Sequence, residues 1–309
     1  MTEINANMVK DLREKTGAGM MDCKKALLEC SGNTEEAVDW LRKKGLAAAG
    51  KKAGRVASEG LVAIAVSSTK AVIIELNSET DFVAKNDKFQ ALAKNLAVEA
   101  LKHNIKDVES FLTIASPYSP SKTIKEEIME HVATIGENIA LRRLDYSSID
   151  SGVIGSYIHG AVSEGMGKIG VLVALESNSS SEEVKILAKQ IAMHIAAARP
   201  ESLSVDQLDQ NLIERERAIF TEQAIASGKP AAVIEKMVEG RIRKFYEEVV
   251  LLEQVYAIDG KTKISQLVSD NAKKIGAEIK VVKFVRYGLG EGIEKQESNF
   301  AAEVAAIAG

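Results

Sequence analysis

Catalysis and metal binding need nucleophiles, bases or ligands at defined spacings, and this sequence of 309 residues offers few of them. Its four histidines are His103, His131, His159 and His194, and none stands in an HExxH or another metal-ligand pattern. Cys23 and Cys30 lie seven residues apart on one face of an expected helix, a spacing that suits packing rather than zinc. There is no G-x-x-x-x-G-K-[ST] loop for a nucleotide phosphate. GLGEG (288–292) follows an expected strand, but it lacks the spacing and βαβ context of a dinucleotide fingerprint and reads as a turn. No serine or cysteine hydrolase constellation is identifiable. The residues therefore point to a binding protein without chemistry of its own, with no catalytic residue, cofactor or metal. An enzyme whose active residues are scattered along the chain is the competing reading.

Composition narrows the partners. The chain is 46% hydrophobic and 27% charged with a net charge of −4, an ordinary globular profile long enough for two or three domains. Broad nucleic-acid binding needs clustered surplus Lys and Arg, so no direct nucleic-acid contact is expected. Charge is uneven, however. Residues 1–55 hold 11 Lys/Arg against 8 Asp/Glu, and LRKKGLAAAGKKAGR (41–55) has six bases and no acid. That run reads as a solvated helix end and linker, with a weak contact to an acidic partner as the alternative. Two cysteines form no disulfide framework and fit a reducing compartment. MTEINANMVK has neither a basic n-region nor an apolar h-region, so no signal peptide is expected. No run of about 18 apolar residues predicts a membrane span. A bacterial-type cytoplasm is the expected location.

The most unusual connection is SETDFVAKND (78–87), between the apolar run VIIEL (72–76) and a helical pattern. A polar loop would be ordinary there. This one places Phe82 and Val83 next to Asp81, where both are expected to be exposed and to find their burial on another protein.

The elements that must position this loop follow from periodicity. Residues 1–46 read as three short helices. Met8, Val9 and Leu12 mark the first, and Met21, Cys23, Ala26, Leu27 and Cys30 the second. Ala37, Val38 and Leu41 mark the third, with Asn33 and Glu36 as a capping box and Gly45 as its C-terminal cap. Met20 and Met21 follow two glycines at a helix start, so one is expected in the core and the other as an adaptable exposed contact. GLVAIAVSSTKAVIIELNS (60–78) reads as two strands and a tight turn. Helices fit 86–104, with Phe89, Leu92, Leu96 and Ala100 on one face, and 121–137, while 139–146 alternates as a strand. Ile135 and Gly136 read as a helix stop. His159, at a strand end, is either an ordinary polar residue or a partner contact.

The pattern then recurs. Strands fit 153–160 and 168–177, and a helix fits 182–199, stopped by Pro200. VIIELNS (72–78) aligns with VLVALES (171–177) at an offset of 99, and LAKNLAVEAL (92–101) with LAKQIAMHIA (187–196) at 95. The first copy is thus four residues longer between strand and helix, inside SETDFVAKND. Further on, SVDQ (204–207) reads as a capping box, with Leu208, Leu212 and Ile219 at helical spacing. SGKP (227–230) is a stop and restart, followed by Val233, Met237, Ile242, Phe245 and Val249. Two helices joined this tightly form an antiparallel hairpin inserted into the core. EIKVVKFVRYG (278–288) supplies a third strand to the second sheet, and NFAAEVAAIAG (299–309) a C-terminal helix or docking tail. The expected fold class is α+β, a pseudo-repeated core with two small antiparallel sheets. The expected domains are 1–55, 56–148, 149–203 with 250–290, the hairpin 204–249, and a C-terminal module 291–309.

Several of these stretches together resemble the bacterial elongation factor Ts family. They are LREKTGAGMMDCKKAL (12–27), KKAGR (51–55), ETDFVAKND (79–87), IGENI (135–139), GSYIHG (155–160), AMHIAA (192–197), SGKP (227–230), EKMVEGR (235–241), GEGIEK (290–295) and FAAEVAA (300–306). They run in order along nearly the whole chain. The resemblance implies a ubiquitin-associated-like N-terminal domain, a two-part core, a coiled-coil hairpin and a C-terminal helix. It implies a guanine-nucleotide exchange factor of protein biosynthesis whose partner is the GTPase elongation factor Tu. In that family the Thr-Asp-Phe-Val segment, here Thr80, Asp81, Phe82 and Val83, dislocates the partner's Mg²⁺ and promotes GDP release in translation elongation. It further implies partner contacts at Leu12, Met20, Met21, Ile135, Gly136 and His159, and packing of the C-terminal helix on the partner. The alternative is a non-catalytic binding or chaperone-like partner of a translation or RNA complex.

Overall fold

The computed structural model describes residues 4–294, so the expected helix at 299–309 lies outside the described residues. In chain order the helices are α1 (Ala6–Thr16), α2 (Met20–Glu29), α3 (Thr34–Lys52), α4 (Asp81–Ala84), α5 (Asp87–Lys102), α6 (Val108–Thr113), α7 (Ile124–Ile135), α8 (Glu182–Ala198), α9 (Gln210–Ile225), α10 (Ala231–Val249) and α11 (Ile264–Ile275). The strands are β1 (Glu59–Ser67), β2 (Lys70–Ser78), β3 (Ile139–Ser148), β4 (Gly152–His159), β5 (Met166–Gly167), β6 (Ile169–Ser177) and β7 (Ile279–Gly288). They form two small sheets, ordered β3-β2-β1-β5 and β4-β6-β7, so the fold is mixed α+β. The chain divides into two compact units. One comprises the residues up to Ala63, Ile74–Leu144 and Gly288 onward, and the other Ile64–Ile73 and Asp145–Tyr287.

In the first unit, α1 to α3 enclose a small core of Val9, Leu12, Cys23, Ala26, Leu27 and Ala37. Asn5 opens α1 by accepting the Met8 N–H (2.9 Å), and Gly17 closes it in the left-handed region (φ 68°). Asn33 caps α3 as expected by accepting the N–H groups of Glu35 and Glu36, but the reciprocal half of the capping box is absent, because Glu36 accepts the Asn33 side-chain amide while the Asn33 N–H donates to Cys30 O. Gly45 is a correction. It does not end α3, which runs on to Lys52. A Cβ there would lie 2.9 Å from the Ala133 Cβ, so the glycine marks where α3 and α7 cross closely. Core filling by Met20 or Met21 is a second correction, because both are exposed.

The α5 face is built as expected, with Phe89, Leu92, Leu96 and Ala100 buried. β2 carries three polar residues, Glu75, Asn77 and Ser78, into that interior, and one of them is charged. Glu75 is fully buried and is bound by Arg142 (3.1 Å), Arg143 (2.5 Å) and the Asn77 amide (3.0 Å). The Gly290 N–H also donates to it (2.8 Å), while Arg143 donates to Gly288 O (2.8 Å). GLGEG is thus the expected turn, and its glycine backbone helps neutralise a buried carboxylate.

In the second unit, β4 and β6 pair antiparallel, Val153 opposite Leu175 and His159 opposite Ile169. α8 lies on them, close enough at Gly155 that a Cβ would meet that of Ala188 at 2.5 Å. β7 adds the expected third strand. The α9–α10 seam is formed by Ala224, Val238 and Ile242 with Phe220, Ile234 and Met237. Ile219 and Val233, expected on that seam, are exposed. SVDQ is corrected too. Ser204 makes no capping bond, 205–207 is a single 3₁₀ turn, and Asp209 caps α9 instead. α11 has no counterpart among the sequence expectations.

Candidate partner-binding surface

The SETDFVAKND connection is a one-turn helix slung between two caps. Asn86 opens α5 by accepting the N–H groups of Lys88 and Phe89. Before it, α4 exposes Asp81 and Phe82 and buries Val83 and Ala84. Phe82 is 76% exposed and Val83 only 7%. The expectation that both reach solvent therefore holds for Phe82 alone. Successive helical residues point about 100° apart, so in a helical turn one faces out while the next anchors. Gln90 donates to Ala84 O (3.1 Å), fixing the far end of the turn. Lys85 lies 3.7 Å from Asp81 and 5.9 Å from the Phe82 ring centroid, an exposed, weak pairing.

Thr80 stands at the N-cap of α4, yet its side chain makes no capping bond. Its hydroxyl donates to Glu137 Oε1 (2.6 Å) and its N–H to Glu137 Oε2 (2.9 Å). In return Glu79 accepts the Asn138 N–H (2.6 Å). Two segments distant in sequence thus exchange carboxylates, each satisfying the other's backbone. Asn138 further donates to Arg55 O (2.7 Å), and Lys52 to Gly136 O (2.6 Å). The structure therefore ties Thr80 to the residue that follows Ile135, half-buried, and Gly136, exposed in the left-handed region at φ 94°. Glu79, Glu137, Asn138 and Arg55 were not singled out from sequence. A pair of acids in two polar loops carries no local signal of being joined.

Leu12 is 0% exposed, and Met20 and Met21 are 54% and 76% exposed. Leu12 thus supports the small helical core from inside, and the two methionines present an apolar, adaptable surface at the start of α2. A cleft of about 590 Å³ runs from Gly19 to Gly136. Lys15, Arg42, Lys44, Lys52 and Lys122 line it against only Asp22 and Glu130. Glu130 is shared by Arg42 (3.1 Å) and Lys122 (2.6 Å), so the cleft keeps surplus positive charge.

The remaining candidate, His159, lies in the other unit. It is exposed at the end of β4, with its Nδ1 3.3 Å from the Tyr157 hydroxyl. His194 is its opposite. Buried, it accepts the Ala257 N–H at Nδ1 (3.2 Å) and meets Gln254 Oε1 at Nε2 (2.9 Å). Burial lowers its pKa below the ordinary imidazole value, opposed by the Gln254 hydrogen bond. Among the described residues no group of three His, Cys, Asp or Glu could hold a metal ion, and no helix is long and apolar enough to cross a membrane.

The family model described as elongation factor TS matches residues 79–291, from the first carboxylate of the exchanged pair to the glycine turn under Glu75. The chain belongs to the elongation factor Ts family. It is 57% identical to elongation factor Ts of Paramagnetospirillum magneticum over the whole of this chain and 98% of that protein. It is 55% identical to that of Rhodospirillum rubrum over 99% of both chains, and 56% identical to that of Rickettsia felis, again over 99% of both. Membership in the elongation factor Ts family makes the protein a factor of translation elongation in protein biosynthesis.

Proposed function

We propose that this protein is a guanine-nucleotide exchange factor that binds elongation factor Tu with GDP, dislocates Mg²⁺ and promotes GDP release. The observation that carries the reading is Phe82, a large side chain left 76% exposed on a turn anchored by Val83 and Ala84. Mg²⁺ holds the nucleotide phosphates through near-ideal octahedral geometry, so a small displacement of its supporting groups weakens the clamp. Phe82 enters between elements of the partner, and Asp81 hydrogen-bonds there or shifts the local charge without ligating the ion. Burying one such ring is worth about 1.5–3 kcal/mol. Whatever part is realised only in the nucleotide-free complex is subtracted from GDP affinity. At about 1.4 kcal/mol per decade the ring supplies roughly 10- to 100-fold. Met20 and Met21 supply a second apolar contact to the GTPase domain, on the helical domain whose core Leu12 helps to fill. Ile135, Gly136 and His159 complete the contacts. The protein performs no bond chemistry itself.

The test is release of a fluorescent GDP from elongation factor Tu, with and without stoichiometric protein, over a range of Mg²⁺. Faster release, with the advantage shrinking as Mg²⁺ rises, is expected. A stable complex with an unaltered release rate would instead make the protein a passive binding partner.

A further inference from the structure

The exchanged carboxylates have a role in the aim of Phe82. α4 has four residues, too few to hold its own direction, since even isolated helices three times longer are marginal in water. Its natural cap is diverted as well. A threonine at the N-cap usually accepts an N–H from the helix it opens, whereas the Thr80 hydroxyl points away and donates to Glu137. The direction of the turn is therefore set from outside, by buried Val83 and Ala84 at one end and Glu137 at the other.

Resting on the exchange-factor reading, we infer that Glu137 is a positioning residue for Phe82. It fixes the ring on the surface that also carries Ile135 and Gly136, and touches neither partner nor nucleotide itself. Both carboxylate oxygens are used, one for the Thr80 N–H and one for its hydroxyl. Glutamine keeps one acceptor and turns an NH₂ toward a donor, so Glu137→Gln removes half the attachment at almost constant shape. Thr80→Val removes the hydroxyl donor from the other side, and Thr80→Ser keeps both donors. Glu79, bound to the Asn138 N–H and facing Arg55, holds the two segments together in all three variants, so the surrounding fold persists.

Four readings on the full-length protein separate positioning from bulk stability. At saturating protein, the maximal rate of GDP release is expected to fall about 10- to 100-fold in Glu137→Gln and Thr80→Val, the scale of a misplaced functional group. The half-saturating concentration stays within about threefold, because the rest of the surface is intact. The double variant falls no further than either single one, and Thr80→Ser, which keeps both donors, recovers most of the rate that Thr80→Val loses. In the free protein, amide hydrogen exchange quickens at 81–84 while the melting temperature moves by only a few degrees. An unchanged release rate in Glu137→Gln overturns the inference. So does a joint fall of rate, affinity and melting temperature, which would make Glu137 a general support of the fold. Should wild type itself leave GDP release unaltered, the exchange-factor reading fails. Amide exchange at 81–84 then decides about Glu137 alone, selective loss of protection upholding its hold on the turn and unchanged protection overturning it.

Discussion

Two strand–helix units of similar sequence occur in the chain, β2 with α5 and β6 with α8, and three of their differences change what each unit can do. The connection is eight residues in the first (79–86) and four in the second (178–181). The short one is a polar turn that bonds within itself and, through Asn178, accepts the Glu278 N–H (3.1 Å). Ser177 accepts the Ser179 N–H, and Ser179 accepts the Ser181 N–H. The long one holds a helical turn, an exposed aromatic ring and an attachment to Glu137. At the same register in the strand, buried Glu75 stands where the second copy has buried Ala174. In the helix, Glu99, which pairs with Lys102 and His103, stands where the second copy has buried His194. One copy has kept to apolar packing in its strand. The other has taken on a buried charge cluster and a surface feature whose apolar part is unsatisfied within the chain. A connection is where a repeat can gain four residues without disturbing register.

Charge at position 75 gives the largest expected effect. Glu75→Gln leaves two arginines facing an uncharged group. It is expected to cost about 3 kcal/mol, the low end for a broken buried pair because both guanidinium groups keep some contact with water. Urea denaturation measures it. Ala174→Ser, which only adds a buried hydroxyl, is expected to cost about 1–3 kcal/mol. If the serine proves the more damaging, the contrast between the two strands is wrong.

A smaller effect separates the helices by pH. His194 is held neutral, its pKa lowered by burial, so between the folded and unfolded values the unfolded chain binds more protons. Its contribution to stability is present above the ordinary value of 6.5 and is lost as pH falls below it. Melting curves from pH 8 to pH 5 are expected to show that decline in wild type and in Glu99→Gln, and a shallower one in His194→Gln. An equal slope in all three would deny His194 the role.

Much of this architecture is legible in residue spacing, because it rests on local rules. The apolar runs in 60–78 and 168–177, the 3.6-residue face of α5 and the pseudo-repeat offsets all reappear as elements. So does the four-residue excess within SETDFVAKND. What spacing misses depends on contacts distant along the chain. Gly45 looks like a helix stop until Ala133 is seen against it. SVDQ has the letters of a capping box, but the chain turns once more before Asp209. Val83 beside Phe82 looks like a second exposed residue until the segment coils into one turn. Glu137 and Thr80 are 57 residues apart, and nothing in either loop announces the other.

The central claim is that the longer connection acts through the ring of Phe82. The most direct measurement is stopped-flow GDP release from elongation factor Tu with wild type and Phe82→Ala. The account predicts a loss of roughly 10- to 100-fold in accelerated release, with unfolding free energy unchanged within about 0.5 kcal/mol because the ring is exposed. Release as fast as with wild type would contradict it.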